Sequence, residues 1–166
     1  MSKPLVLIVM GSDTDLPVME EGARVLAEFG IPYEMRISSA HRSPGRTAAL
    51  AAEAAERGIR VIIAGAGMAA HQAGVIAAET VLPVIGVPMG GGALDGLDAL
   101  YSTVQMPGGI PVATMAIGKA GAKNAGIFAV QVLALGDENL TVALRAYRER
   151  MAEAVAEKDR KLCLKN

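Results

Sequence analysis

The chain contains two histidines, and both fall in segments whose neighbours could bind a ligand. His41 stands beside Arg42 in Ser38-Ser39-Ala40-His41-Arg42-Ser43-Pro44. An imidazole gives and takes a proton close to neutral pH. A guanidinium stays charged and holds a phosphate through two parallel hydrogen bonds. Taken singly, His41 reads equally well as a surface residue and Arg42 as a helix-entry charge; side by side they favour function. His71 follows a glycine-bearing turn, Gly65 to Ala70, where backbone N–H groups can approach a carboxylate or carbonyl oxygen. The plainer alternative there is a turn with His71 capping a helix. A third cluster is Gly11-Ser12-Asp13-Thr14-Asp15, where free N–H groups and a hydroxyl could hold an anion and Asp15 could accept from sugar hydroxyls. Asp15 as a simple helix cap, with Pro17 in the first turn, carries equal weight.

Several chemistries lack their residues. Neither histidine has a cysteine or carboxylate at ligand spacing, so no metal site is expected. Dinucleotide and P-loop fingerprints are missing, as is the Gly-x-Ser-x-Gly of acyl transfer. Ser12, Asp15, His41, Arg42 and the Gly65–His71 loop together imply proton transfer on a small phosphorylated sugar derivative.

The elements that must position these groups alternate. Apolar runs at Leu5 to Met10, Tyr33 to Ile37, Val61 to Ala64, Val84 to Val87 and Val112 to Ile117 read as strands. Helical spacing follows the first, in Leu16, Met19, Ala23 and Leu26, and alanine-rich stretches at Arg46 to Gly58 and Ala120 to Leu135 read as helices. Pro88 to Gly92 reads as a flexible loop. Such alternation implies βαβ units and a parallel, doubly wound sheet. Ligands of such sheets bind beyond the carboxyl ends of the strands, where all three clusters fall. A last helix, Leu140 to Leu162, sets Leu140, Leu144, Tyr147, Met151, Val155 and Leu162 along one stripe. It could cover its own domain or a neighbouring subunit.

The 166 residues are the size of one domain, so residues 1–166 are read as a single catalytic domain. Apolar residues make up 52% and aromatics 3%, so the core must be packed from aliphatic and small side chains, with oligomer burial a further expectation. A net charge of −1 gives no bulk attraction to nucleic acid or a membrane surface. The lone Cys163 fits a reducing cytoplasm. The run after Met1-Ser2-Lys3-Pro4 is too short for a signal peptide, and the uncharged Val61 to Ala78 is too broken by glycine, His71 and Gln72 to be a membrane span.

Five blocks together, Val9 to Asp15, Ser39 to Pro44, Ala64 to His71, Gln105 to Val112 and Ala116 to Ala125, closely resemble the N5-carboxyaminoimidazole ribonucleotide mutase family of purine biosynthesis, over residues 5 to 150 and in matching order. The resemblance implies a flavodoxin-like three-layer sandwich, assembled as a cytoplasmic homo-octamer with sites at subunit contacts. It implies movement of a carboxylate from the exocyclic nitrogen of the ribonucleotide to its ring carbon through carbon dioxide, without metal, ATP or other cofactor. On the matching positions, His41 would be the general acid/base, Ser12 and Arg42 would bind the phosphate and Asp15 the ribose. Ser39, Ala40, Gly67, Met68 and His71 would complete substrate binding, with Gly65–His71 and Gly90–Leu94 lining the base and carboxylate pocket. Carbon dioxide must not escape between the half-reactions, so the site must be closed and dry.

Two departures fall in the third block. Met68 stands where the family usually has glycine, and Gln72-Ala73 where it has Leu-Pro. A related class carboxylates the aminoimidazole ribonucleotide directly with carbon dioxide; there the histidine is followed by lysine, and Arg42 here favours the mutase. A non-catalytic flavodoxin-like binding module is a third reading, in which His41 beside an anion anchor has no purpose.

Overall fold

The computed structural model describes residues 3–164. Met1 and Ser2, which open the segment judged too short for a signal peptide, lie outside the described residues, as do Lys165 and Asn166 at the end of the 1–166 reading. Two compact units emerge, one running through Val130 and the other starting at Gln131.

In the first unit, strands and helices alternate as β1 (Val6–Met10), α1 (Leu16–Glu28), β2 (Tyr33–Ile37), α2 (Pro44–Ala52), β3 (Val61–Ala66), α3 (Gln72–Glu79), β4 (Val84–Pro88), α4 (Leu97–Val104) and β5 (Ala113–Thr114), with α5 (Lys119–Ala134) following. The five strands form one parallel sheet in the order β2-β1-β3-β4-β5. With helices on both sides, this is the flavodoxin-like arrangement. Its chain order reverses direction between β1 and β3, so a crevice opens above that pair.

Continuous apolar runs become the central strands because both faces need covering. Val6, Leu7, Ile8 and Val9 are fully buried, each such side chain contributing about 1.5–3 kcal/mol by leaving water. Leu7, Val9, Ile62 and Ala64 pack with Ala51, Ala54, Ala73 and Ile76 in one cluster. Elsewhere α1 and α5 touch backbone to backbone. A Cβ at Gly22 would lie 2.7 Å from the Ala122 carbonyl oxygen, and one at Gly126 would lie 2.7 Å from that of Gly22.

Two expected elements change extent and one helix is added. The second helix runs over Pro44–Ala52 rather than Arg46 to Gly58. Beyond it, turns with Gly58 N–H donating to Ala55 and Ile59 N–H to Ala54 sink Ala54 and Ile59 into the core. The fifth strand shrinks from Val112–Ile117 to Ala113–Thr114. Met115 N–H still donates to Gly86, but the next bond to β4 is Gly118 N–H to Pro88. Three residues thus advance against two, and a bulge ends the ladder. Helix α4 is an addition to the expected elements: it starts from Gly96 at φ 88° without a side-chain cap, and Asp98 in its first turn is the one acidic mark of its beginning.

The second unit contains α6 (Glu138–Cys163), capped where Asp137 accepts from Asn139 N–H at 2.9 Å. Its expected apolar stripe is only partly covered. Tyr147 is buried, whereas Met151, Val155 and Leu162 are 46%, 66% and 62% exposed. Among the described residues no helix is long and apolar enough to cross a membrane.

Candidate active site

The segments leaving the carboxyl ends of β1, β2, β3 and β4 line one cavity of about 430 Å3. Ser12, Asp15, Ser39, Ala40, His41, Arg42, Gly67, Met68 and His71 all lie on its wall. Gly90, Gly91 and Gly92 join them from the loop after β4, while Ala93 and Leu94 do not. Gly65 lies beneath the wall, where an added Cβ would collide with Met19 and Met89.

The turn after β2 is tied by short hydroxyl side chains, which bond nearby backbone more readily than they support regular ladders. Ser43 Oγ accepts from Ser39 N–H at 2.9 Å and donates to the Ser39 carbonyl at 3.1 Å. Ser39 Oγ accepts from Arg42 N–H at 3.1 Å, and the buried Ser38 and Thr47 hydroxyls pair at 2.8 Å. His41 and Arg42 are thereby presented from a fixed turn, both exposed. Arg42 Nη2 donates to the Gly11 carbonyl at 3.0 Å, which joins the loops after β2 and β1. That uses one of the five guanidinium donors. A neighbouring cavity of about 460 Å3 shares Gly11, Ser12, Ser39 and Arg42 and adds Arg46, so Arg42 borders both.

His41 Nε2 and His71 Nδ1 lie 2.7 Å apart, with the rings nearly perpendicular at 87°. One ring must donate and the other accept, so a proton is shared between two loops that meet only in the folded chain. His71 therefore does not serve as a side-chain cap of α3, the plainer reading of its position.

The loop after β1 differs from the expected anion cradle. Ser12 opens a 3-10 turn at Asp13–Asp15 and forms a reciprocal capping box with Asp15. Its N–H donates to Asp15 Oδ2 at 3.2 Å, and its Oγ accepts from Thr14 N–H at 3.3 Å while donating to Asp13 Oδ1 at 3.0 Å. The N–H groups of Ser12 and Thr14 are thus already taken by side chains of the same turn. Burial pushes the Asp15 carboxyl above the usual aspartate range, and nearby Asp13 adds to this. The Ser12 and Gly11 amides and the Arg42 guanidinium pull the other way.

From the sequence, Gln72 stands out only as a departure from the family pattern, with no role assigned to it. Its side chain is 2% exposed and reaches the backbone of the His41 turn. The available signal was a primary amide among apolar neighbours at the start of a buried helix. Met68 holds a left-handed φ of 56° while 65% exposed, an unusual conformation for a side chain with a Cβ. Among the described residues, no group of three His, Cys, Asp or Glu side chains could hold a metal ion.

These groups can bind an anion at Arg42, accept hydroxyl hydrogen bonds at Asp15, and pass a proton at the histidine pair. Residues 5–154 match the family model described as AIR carboxylase. The chain is 58% identical over 160 residues to the N5-carboxyaminoimidazole ribonucleotide mutase of Pyrococcus horikoshii, covering 96% of this chain and 89% of that one. It is 54% identical over 160 residues to the protein of that name from Mycobacterium tuberculosis, covering 96% and 91%. The crystal structure of Treponema denticola PurE superposes with a TM-score of 0.85 at 32% identity, covering 96% of this chain and 98% of that one. With this sheet, these loops and a match over nearly its whole length, the chain belongs to the AIR carboxylase family.

Proposed function

We propose that this chain converts N5-carboxyaminoimidazole ribonucleotide to 4-carboxy-5-aminoimidazole ribonucleotide in purine biosynthesis. The observation that carries the chemistry is the His41–His71 hydrogen bond, 2.7 Å long, on the wall of the cavity that also presents Arg42 and Asp15. In this reading the exocyclic N–C bond breaks, releasing carbon dioxide, and His41 supplies the proton that the nitrogen gains. The ring carbon then attacks the trapped carbon dioxide, and the same imidazole removes the proton from that carbon. Carboxylate and proton exchange places, with no change of oxidation state. His71 can relieve or supply charge on His41 through the shared proton.

Arg42 holds the phosphate, assisted by Ser12 once its hydroxyl leaves Asp13, and Asp15 accepts from the ribose hydroxyls. Ser39, Ala40, Gly67, Met68 and His71 surround the ring and its carboxylate. Phosphate binding remote from the reacting carbon then pays for orienting the ring. In the single chain His41, Met68, Ala69 and His71 are exposed, whereas carbon dioxide must be retained. We therefore read the working form as a cytoplasmic homo-octamer in which neighbouring copies close the site. Exposed Leu94, Leu97, Tyr101 and Val104 support burial against another copy.

The test follows the ring-carboxylated product formed from the N-carboxylated ribonucleotide by wild-type and His41→Asn protein. Loss of general acid/base catalysis should lower turnover about 100- to 10,000-fold. Equal rates would remove His41 from the chemistry. Activity that starts from the uncarboxylated ribonucleotide and depends on bicarbonate would instead indicate direct carboxylation.

A further inference from the structure

Gln72 is one of few buried polar residues among the described residues, 2% exposed, and both ends of its carboxamide are bonded to one short piece of backbone. Oε1 accepts from Ala40 N–H at 2.8 Å, and Nε2 donates to the Ser38 carbonyl at 2.8 Å. A primary amide presents a donor and an acceptor in one plane. It therefore satisfies two peptide groups of the His41 turn at once, as a neighbouring strand would.

The Ala40 bond lies one residue away from the histidine pair on both sides. Ala40 precedes His41, and Gln72 follows His71. Ala40–Gln72 and His41–His71 are successive cross-links between the same two segments, the second between the rings at 2.7 Å. The hydroxyl network of Ser39, Ser43 and Thr47 ties the turn only to its own helix. Among the hydrogen bonds that reach across to the His71 segment, the Gln72 bonds are the ones made by a buried group.

We infer that Gln72 is a positioning residue for the reaction: by clamping the Ser38 and Ala40 peptides to the start of α3, it sets the ring-to-ring hydrogen bond of His41 and His71. This rests on the acid/base role given to His41 above. Gln72 lines the cavity wall, yet its action is through the backbone of the turn. A shift of about 1 Å in a group that transfers a proton is enough to cost about 100-fold in rate.

Two variants test it. Gln72→Met keeps an unbranched side chain of similar volume and removes both bonds. Gln72→Glu keeps the shape and the acceptor for Ala40. When ionised it cannot donate to the Ser38 carbonyl; once protonated it regains a donor and restores both bonds. The readouts are kcat and KM from pH 5 to 8, and the imidazole 15N spectrum of ligand-free protein. With two histidines in the chain, that spectrum is assigned by comparison with His41→Asn.

The expected result is a kcat lower by about 10- to 100-fold in Gln72→Met, with KM changed less than kcat, and loss of the ring-to-ring signature. For Gln72→Glu, the ratio of its kcat to that of wild type should rise as pH falls, while the Gln72→Met ratio stays flat. A wild-type kcat or an intact imidazole signature in Gln72→Met would overturn the inference, as would a Gln72→Glu kcat as low as that of Gln72→Met at every pH. If wild type itself turned over no ribonucleotide, the proposed function would fail. The spectrum would still report whether Gln72 holds the rings together.

Discussion

Met68 gives the sharpest quantitative test of how the loop after β3 is built. A residue with a Cβ at φ 56° sits in the left-handed region, which costs an L-residue about 1–2 kcal/mol. Glycine escapes that cost but gives up about 0.4–1 kcal/mol through the greater freedom of its unfolded chain. Relief should therefore exceed loss by about 1 kcal/mol. The side chain is 65% exposed, so little burial is forfeited when it is removed. The side chain borders the loop after β4, where a Cβ on Gly92 would meet Met68 Cγ at 3.5 Å. Comparing Met68→Gly with Met68→Ala removes the side chain in both and leaves backbone strain as the difference. For a chain of this size, about 1 kcal/mol corresponds to about 2–4 °C in Tm. Thermal unfolding at one fixed protein concentration should place Met68→Gly above Met68→Ala by that margin. If Met68→Gly melted at or below Met68→Ala, the reading of a strained residue would be refuted. Strain of this kind concentrates at functional positions, so the stabilised glycine variant is also expected to change kcat/KM; identical kinetics would assign Met68 to loop packing alone.

The remaining predictions follow from other contacts. Arg42→Ala removes a charged donor, worth about 1.5–3 kcal/mol, and should raise KM about 10- to 100-fold with a smaller effect on kcat; an unchanged KM would remove Arg42 from phosphate binding. Gly126→Val forces a side chain into the α1–α5 contact, where even a Cβ would lie 2.7 Å from the Gly22 carbonyl oxygen; a loss of about 1–3 kcal/mol should appear as a lower urea midpoint, and full stability would show that the helices separate freely. Asp15→Asn tests the pH linkage. Because burial raises the folded Asp15 pKa above its ordinary value, the folded state takes up the proton first as pH falls, so ionised Asp15 costs stability at neutral pH. The variant should melt at or above wild type at pH 7, and the gap should close as pH falls through the raised pKa toward the ordinary aspartate value near 3.8. Binding of the ribonucleotide by the same variant should weaken, and a lower Tm at pH 7 would reverse the sign of the argued effect.

The central strands were legible because burial on both faces demands unbroken apolar runs, as in Val6–Met10 and Val84–Pro88. Helix α1 announced itself through the spacing of Met19, Ala23 and Leu26, all buried. Ends were less legible. The alanine-rich pattern could not show where Ala54 and Ile59 would be drawn into the core, because tertiary packing overrides helix propensity. That three loops would meet at one cavity was readable from their places at strand ends. The wiring of the site was not: the His41–His71 contact joins segments 30 residues apart. Gln72 was visible only as a departure from the family pattern, although its amide reaches two peptide groups of the opposite loop. At Ser12 and Asp15 the local capping box consumed donors that sequence reasoning had left free for a ligand.

Every residue on the wall of the cavity that holds His41 and His71 lies between Gly11 and Gly92. The strand that pairs with the outer edge of β4, and the helix packed on α1, come later in the chain. At about 5–20 residues per second, a ribosome completes the cavity wall about 1–4 s before it reaches β5. During that interval the apolar Val84–Pro88 strand has one unpaired edge, a template for pairing with another chain. The short β5, with its two ladder residues, thus covers part of that edge as soon as it is made, as well as ending the sheet in the finished fold. Changes that weaken Ala113 or Thr114 should therefore reduce soluble yield out of proportion to their effect on the folded enzyme's kinetics.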